Sequence, residues 1–162
     1  PALSISRNNP KDSIATRKYA ILCDDGVDGA ALIKIKQALL DAGAMVRVVA
    51  SHQGALQQTG ESLDREVSAD DSVLTTSCVL FDGIVVLNGS GEMVDSMESD
   101  PRYKEFVKDT YKHYKPIAVY GNAAGFVMNA IGDDLTVEEG IVKDGTPEEV
   151  IEAFKQGRFW NR

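Results

Sequence analysis

The chain has 162 residues, of which 43% are hydrophobic and 26% charged, the profile of one ordinary globular domain with room for a core. Its net charge of −8 excludes nucleic acid and anionic membrane surfaces as partners, since both require clustered Lys and Arg. No apolar run approaches the roughly 20 residues of a membrane span and no signal-peptide pattern is visible, so an intracellular compartment is expected.

Residues 1–17, "PALSISRNNPKDSIATR", lack hydrophobic periodicity and are rich in Ser, Asn and Pro. They read as a linker, and the expected domain is 18–162. "YAILC" (19–23) is a short apolar run that fits a buried strand and ends at Asp24-Asp25-Gly26. Over 29–42, Leu32, Ile35, Leu39 and Ala42 follow helical spacing, with Gly43 as the stop. "MVRVVA" (45–50) predicts the next strand, and the polar, turn-rich 53–75 a short hairpin. "GIVVLNG" (83–89) has the pattern of a central strand.

Asp100-Pro101 starts a helix with Pro in its first turn, and Tyr103, Phe106, Val107, Thr110, Tyr111 and Tyr114 mark its apolar face. "PIAVY" (116–120) predicts a strand and 124–131 a helix. Thr146-Pro147-Glu148-Glu149 offers a capping box to a last helix through Phe154, closed by Gly157. Alternating buried strands and helices imply a parallel sheet covered on both faces. The fold class is therefore α/β, a flavodoxin-like doubly wound sheet. In such sheets ligands bind at the carboxyl ends of strands, here Asp24–Asp28, Asn88–Gly91 and Gly121–Ala124.

Those ends are poor in chemistry. A phosphate cradle needs glycines or hydroxyls, whereas Asp24, Asp25 and Asp28 would repel the anion. Asp24 and Asp25 could serve as the paired acids of a Mg²⁺-dependent receiver, but Asn88-Gly89 stands where the phosphoacceptor Asp should be, so they read as solvated surface acids. Cys23 and Cys78 read as small buried hydrophobes, and His52 and His113 as surface residues. No metal site is expected. "KPIAVYGNAAGFV" (115–127) has the strand-to-helix turn on which α/β enzymes mount a nucleophile, yet it offers only Gly121, Asn122, Ala123 and Ala124.

"YAILCDDGVDGAALIKIKQALLDAGAMVRVVASHQG", "SVLTTSCVLFDGIVVLNG" and the closing "EEVIEAFKQGRFWNR" resemble the C-terminal domain of large-subunit haem catalases over nearly all of 18–162. That domain is similar to the DJ-1/PfpI class, related to class I glutamine amidotransferases. The resemblance implies that Gly121 stands where active DJ-1/PfpI members carry Cys, and Asn122 where the next residue is usually His. Ala31 stands in place of their assisting Glu. Without thiolate or carboxylate, that chemistry has no carrier. The resemblance implies a non-catalytic domain without a cofactor of its own, with haem in a preceding domain of the parent chain. Its expected partner is the catalase core of the parent tetramer, to which it would add stability. A second reading is chaperone-like holding of unfolding clients through Leu56, Leu63, Val67, Phe159 and Trp160. A third, ranked last, is residual hydrolase or glyoxalase activity at Cys23 or Cys78.

Overall fold

A computed structural model describes residues 13–59, 66–132 and 140–160. In chain order the strands are β1 (Lys18–Leu22), β2 (Val27–Asp28), β3 (Met45–Ala50), β4 (Gly54–Ala55), β5 (Gln58–Thr59), β6 (Ser68–Ala69), β7 (Asp71–Ser72), β8 (Gly83–Val86), β9 (Ile117–Val119) and β10 (Ile141–Lys143). The helices are α1 (Gly29–Asp41), α2 (Gly91–Ser99), α3 (Pro101–Lys112), α4 (Ala124–Ile131) and α5 (Pro147–Gln156).

Six strands form one sheet in the order β10-β9-β8-β1-β3-β7, every pairing parallel. α1 and α5 pack together on one face, while α2, α3 and α4 cover the other. This is the doubly wound sandwich that the alternation predicts. The central strands are apolar along their whole length because both faces are covered: Tyr19 to Leu22 and Ile84 to Val86 have no exposed surface. Connections leave β1 and β8 in opposite directions, so the sheet has its switch point between them. A ligand crevice belongs at that point.

The core reaches past the predicted domain boundary. Ile14 is 1% exposed, the Thr16 amide donates to the Gly43 carbonyl, and the Arg17 guanidinium donates to the Phe154 carbonyl. Residues 13–17 therefore pack on the domain instead of behaving as linker; 1–12 lie outside the described residues.

The 53–75 segment supplies a two-residue antiparallel ladder between β4 and β6, and then β7 at the sheet edge. Two residues hold little by themselves, so β7 relies on side chains. The Arg47 guanidinium grips Asp71 at 2.8 and 3.0 Å, and Asp70 accepts from the Val48 amide. α2 and β10 were not expected. α2 is announced by Ser90, whose hydroxyl accepts from the Met93 amide, and by Met93 and Met97 one turn apart on the buried side.

The capping box of α5 forms as its sequence implies: Thr146 Oγ1 accepts from the Glu149 amide at 3.2 Å and Glu149 accepts in return from the Thr146 amide. Thr146→Ala is expected to cost about 1 kcal/mol. Urea titration checks this, and an unchanged midpoint would mean that burial of Val150 and Phe154 alone fixes the helix start.

Candidate functional site

The turn after β9 is a single 3-10 turn, Gly121–Ala123, leading straight into α4. It is an elbow in shape, and its first residue leaves little room for a side chain. Gly121 has φ +53°, in the left-handed region where a side chain is strained. A Cβ built there would lie 2.8 Å from the Asn88 Cβ, closer than two carbons can approach. Asn88 thus occupies space that a side chain at 121 would need.

Backbone and amide groups fasten the elbow on every side. The Gly121 amide donates to the Asp144 carboxylate at 2.7 Å. The Asn122 side chain grips Gly89, accepting from its amide at 3.2 Å and donating to its carbonyl at 2.7 Å. Gly89 in turn bridges Val27 across the switch point, where a Cβ on residue 89 would lie 2.5 Å from the Gly26 carbonyl oxygen. Asp28 caps α1 by accepting from the Ala31 amide at 3.2 Å, and its other carboxylate oxygen accepts from the Asn88 amide group at 3.3 Å. The crevice expected between β1 and β8 is therefore spanned by chain-to-chain hydrogen bonds. The strand ends marked in the sequence include Asp28, Asn88, Gly121 and Asn122, whereas Asp144 lies outside them. Asp28, a polar residue just before a helix, also carries the local signal of a cap, and Asp144 carries none.

Neither cysteine is poised to react. Cys23 has no exposed surface, and burial, reinforced by the Asp24 and Asp25 charges, pushes its thiol well up. Cys78 is 4% exposed and burial raises it too, against the opposing influence of Lys115. Thiolate is the reactive form, so burial works against reaction at either cysteine.

His52 is more than a surface residue. Its Nε2 lies 2.9 Å from Asp25 and its Nδ1 2.9 Å from the Gln53 carbonyl. With an acceptor at each ring nitrogen, the imidazolium is the form that satisfies both. Ligand atoms of Asp24, Asp25 and His52 all fall within 4.8 Å of one another. The Gln53 carbonyl and then Asp25 raise the His52 pKa, while the Gln57 amide, ahead of His52, lowers that of Asp25.

His52, raised above 6.5, adds stability that is full below that value and lost as pH rises through the folded-state pKa. Asp25, lowered below 3.8, adds stability present above that value and lost as pH falls through the folded-state pKa. Asp25→Asn is thus expected to destabilise more near pH 5.5 than near pH 9. Both side chains are about two-fifths exposed, which keeps the effect small. Denaturant midpoints of both proteins at the two pH values test it, and an equal difference at both would remove the charged pair from the account.

Most of the residues expected to hold clients turn inward. Leu56 is 6% exposed, Val67 4% and Phe159 7%. Val67 and Ala69 share the inward side of a strand-like alternation, and the Leu56 amide donates to the Val67 carbonyl, so Leu56, Val67 and Ala69 are packed down. Phe159 is pulled in by its amide, which donates to the Tyr114 carbonyl. Leu63 lies outside the described residues. Among the four that are described, Trp160 alone is exposed, at 68%, and it rests against Tyr114 with ring centroids 5.2 Å apart. Among the described residues the other exposed large apolar side chains are Leu40, Met45, Leu74, Val79, Leu80 and Met128.

Comparison with known proteins agrees with this geometry. A family described as the C-terminal domain found in long catalases matches residues 15–162. Catalase HPII of Mycobacterium avium is 31% identical over 178 residues, covering 100% of this chain and 25% of that protein. Catalase HPII of Pseudomonas aeruginosa is 30% identical over 167 residues, covering 100% of this chain and 22% of that protein. This chain thus spans about a quarter of the length of the curated relatives it matches. Among solved structures, a two-domain protein of Anabaena variabilis with DJ-1/ThiJ/PfpI-like and ferritin-like domains superposes with a TM-score of 0.62 at 23% identity. That match covers 72% of this chain and 32% of the other, and it speaks to the fold alone. From a matched span that takes in the elbow and all of the sheet, the chain belongs to the family of C-terminal domains found in long catalases.

Proposed function

We propose that this domain is non-catalytic and stabilises the assembly of a long catalase by docking through the amino-terminal edge of its sheet. The observation that carries the first half is the filled elbow, where Asn88 stands against Gly121 and no nucleophile is present. Ala31 supplies no carboxylate, and both cysteines are buried.

The docking half rests on where the exposed apolar groups lie. The 3-10 turn Cys78–Leu80 immediately precedes β8 and projects Val79 and Leu80, 71% and 59% exposed. It is rigidly braced: the buried Lys115 ammonium donates to the Cys78 carbonyl at 3.0 Å, and Phe81 packs on Phe106. Lys115 also follows Tyr114, against which Trp160 lies. Asp82 joins the same edge to the start of β1 by accepting from the Lys18 amide at 2.8 Å. Apolar side chains on a stiff turn lose little conformational entropy on docking, which favours a permanent partner.

Haem chemistry in this reading belongs to the rest of the longer protein. Tyr120 lines a cavity, and its hydroxyl donates to the Gly145 carbonyl. Burial, with the charges of Asp144 and Glu149, pushes its pKa up to about 12, which works against the phenolate that would hold a haem iron.

The test compares a long catalase carrying this domain with the same protein truncated before residue 13. Faster heat inactivation of the truncated protein, with unchanged turnover per haem, is expected. Equal inactivation would reject the stabilising role, and turnover lost in proportion to the deleted mass would reject the non-catalytic one.

A further inference from the structure

The closed elbow leaves an opening beside it. Between the first turns of α1 and the loop after β10 lies a cavity of about 330 Å³, at the small end of ligand pockets. It stands at the carboxyl ends of β8, β9 and β10, through Leu87, Tyr120 and Asp144. Its floor is apolar: Leu87 and Ile35 are 1% and 2% exposed, with Ala31 beside them. The Tyr120 hydroxyl is engaged by Gly145, which leaves its ring as a wall.

Two opposite charges line this cavity without meeting. Among the described residues Lys34 has neither an ion-pair nor a hydrogen-bond partner, and it forms no salt bridge with Asp144. Asp144 accepts from the Gly121 amide through one oxygen. It does so from φ +52°, a conformation uncommon for a residue with a side chain. Backbone held this way is a recurrent mark of functional positions.

We propose that this cavity binds a small zwitterion with an apolar body, an α-amino acid with a hydrocarbon or thioether side chain. Its carboxylate would meet Lys34, its ammonium Asp144, and its side chain the floor of Ile35 and Leu87. The class follows from the lining. A simple carboxylate would gain from Lys34 but face Asp144, and a simple amine would do the reverse. A polar body would leave its own groups unpaired against the leucine and isoleucine. No bond is made or broken, so the absence of a nucleophile at residue 121 is no obstacle.

The experiment uses the 162-residue chain and methyl and amide NMR titration with alanine, valine, leucine, methionine and phenylalanine. Saturable shifts at Ile35, Leu87 and Tyr120 are expected for at least one of them below about 20 mM, the weak end of specific binding. For the amino acid that binds best, the matching carboxylic acid and the matching amine should each bind about tenfold more weakly, because each lacks one charge-assisted contact. Lys34→Met and Asp144→Asn should each weaken binding about tenfold. Asn keeps both the left-handed conformation and the acceptor for Gly121, and Lys34 is exposed, so folding is retained. If no amino acid of the panel shifts these residues, or if the acid or the amine binds as tightly as the amino acid, the proposal is wrong.

Discussion

Gly121→Cys is expected to lower stability by about 1–3 kcal/mol and to give no hydrolase or glyoxalase activity, even combined with Ala31→Glu. The loss has two sources. The left-handed backbone at φ +53° resists any side chain, and the new Cβ would sit 2.8 Å from the Asn88 Cβ. Relief requires Asn88 to move, which breaks its hydrogen bond to Asp28, the cap of α1. Restoring two residue types therefore does not restore a site, because a third residue has taken the space. Thermal unfolding and esterase and glyoxalase assays on the double variant check both halves. A variant as stable as its parent, or one with turnover abolished by thiol alkylation, would show that the elbow is still open to chemistry.

Phe154→Ala should have the largest effect on stability, about 3–5 kcal/mol. Phe154 has no exposed surface and stacks on Tyr19 of β1 with centroids 4.3 Å apart and an interplanar angle of 17°. The residue joins three parts of the fold, since its carbonyl also accepts from Arg17. For a chain of this size the melting temperature should fall by roughly 10 °C or more. A fall of only a few degrees would mean that α5 settles onto the sheet and fills the void.

The fold was legible where burial on both sides left continuous apolar runs. β1, β3, β8 and β9 announce themselves through Ile21, Val48, Val85 and Ala118, and the capping box marks α5. Short edge strands carry little such signal. β7 has two residues and is held by Arg47–Asp71, a pairing that no local pattern reveals. β10 is only half-buried, so its apolar character is weak. Gly121 and Asn122 could be located as an elbow, but the network that closes it could not. Asp28, Asn88, Gly121 and Asp144 are far apart in sequence and meet only through the parallel sheet.

The expected client-binding surface illustrates the limit of composition. Leu56 and Val67 sit among polar neighbours, which reads as an exposed loop, yet tertiary packing buries both. The alternation from Glu66 to Ala69 was the available clue. Conversely, Val79 and Leu80 follow a cysteine and precede a phenylalanine, which reads as core. Lys115 and Phe106 take Cys78 and Phe81 inward and leave the two between them outside.

Hydrogen exchange tests the docking account most directly, measured on the isolated chain and on a long catalase containing it. Amides of residues 76–82 and 157–160 should exchange more slowly in the long protein, while those of the elbow, 121–125, should be unchanged. Equal exchange at 76–82 and 157–160 in both, or protection centred on the elbow instead, would contradict the assignment of the amino-terminal edge as the working surface of this domain.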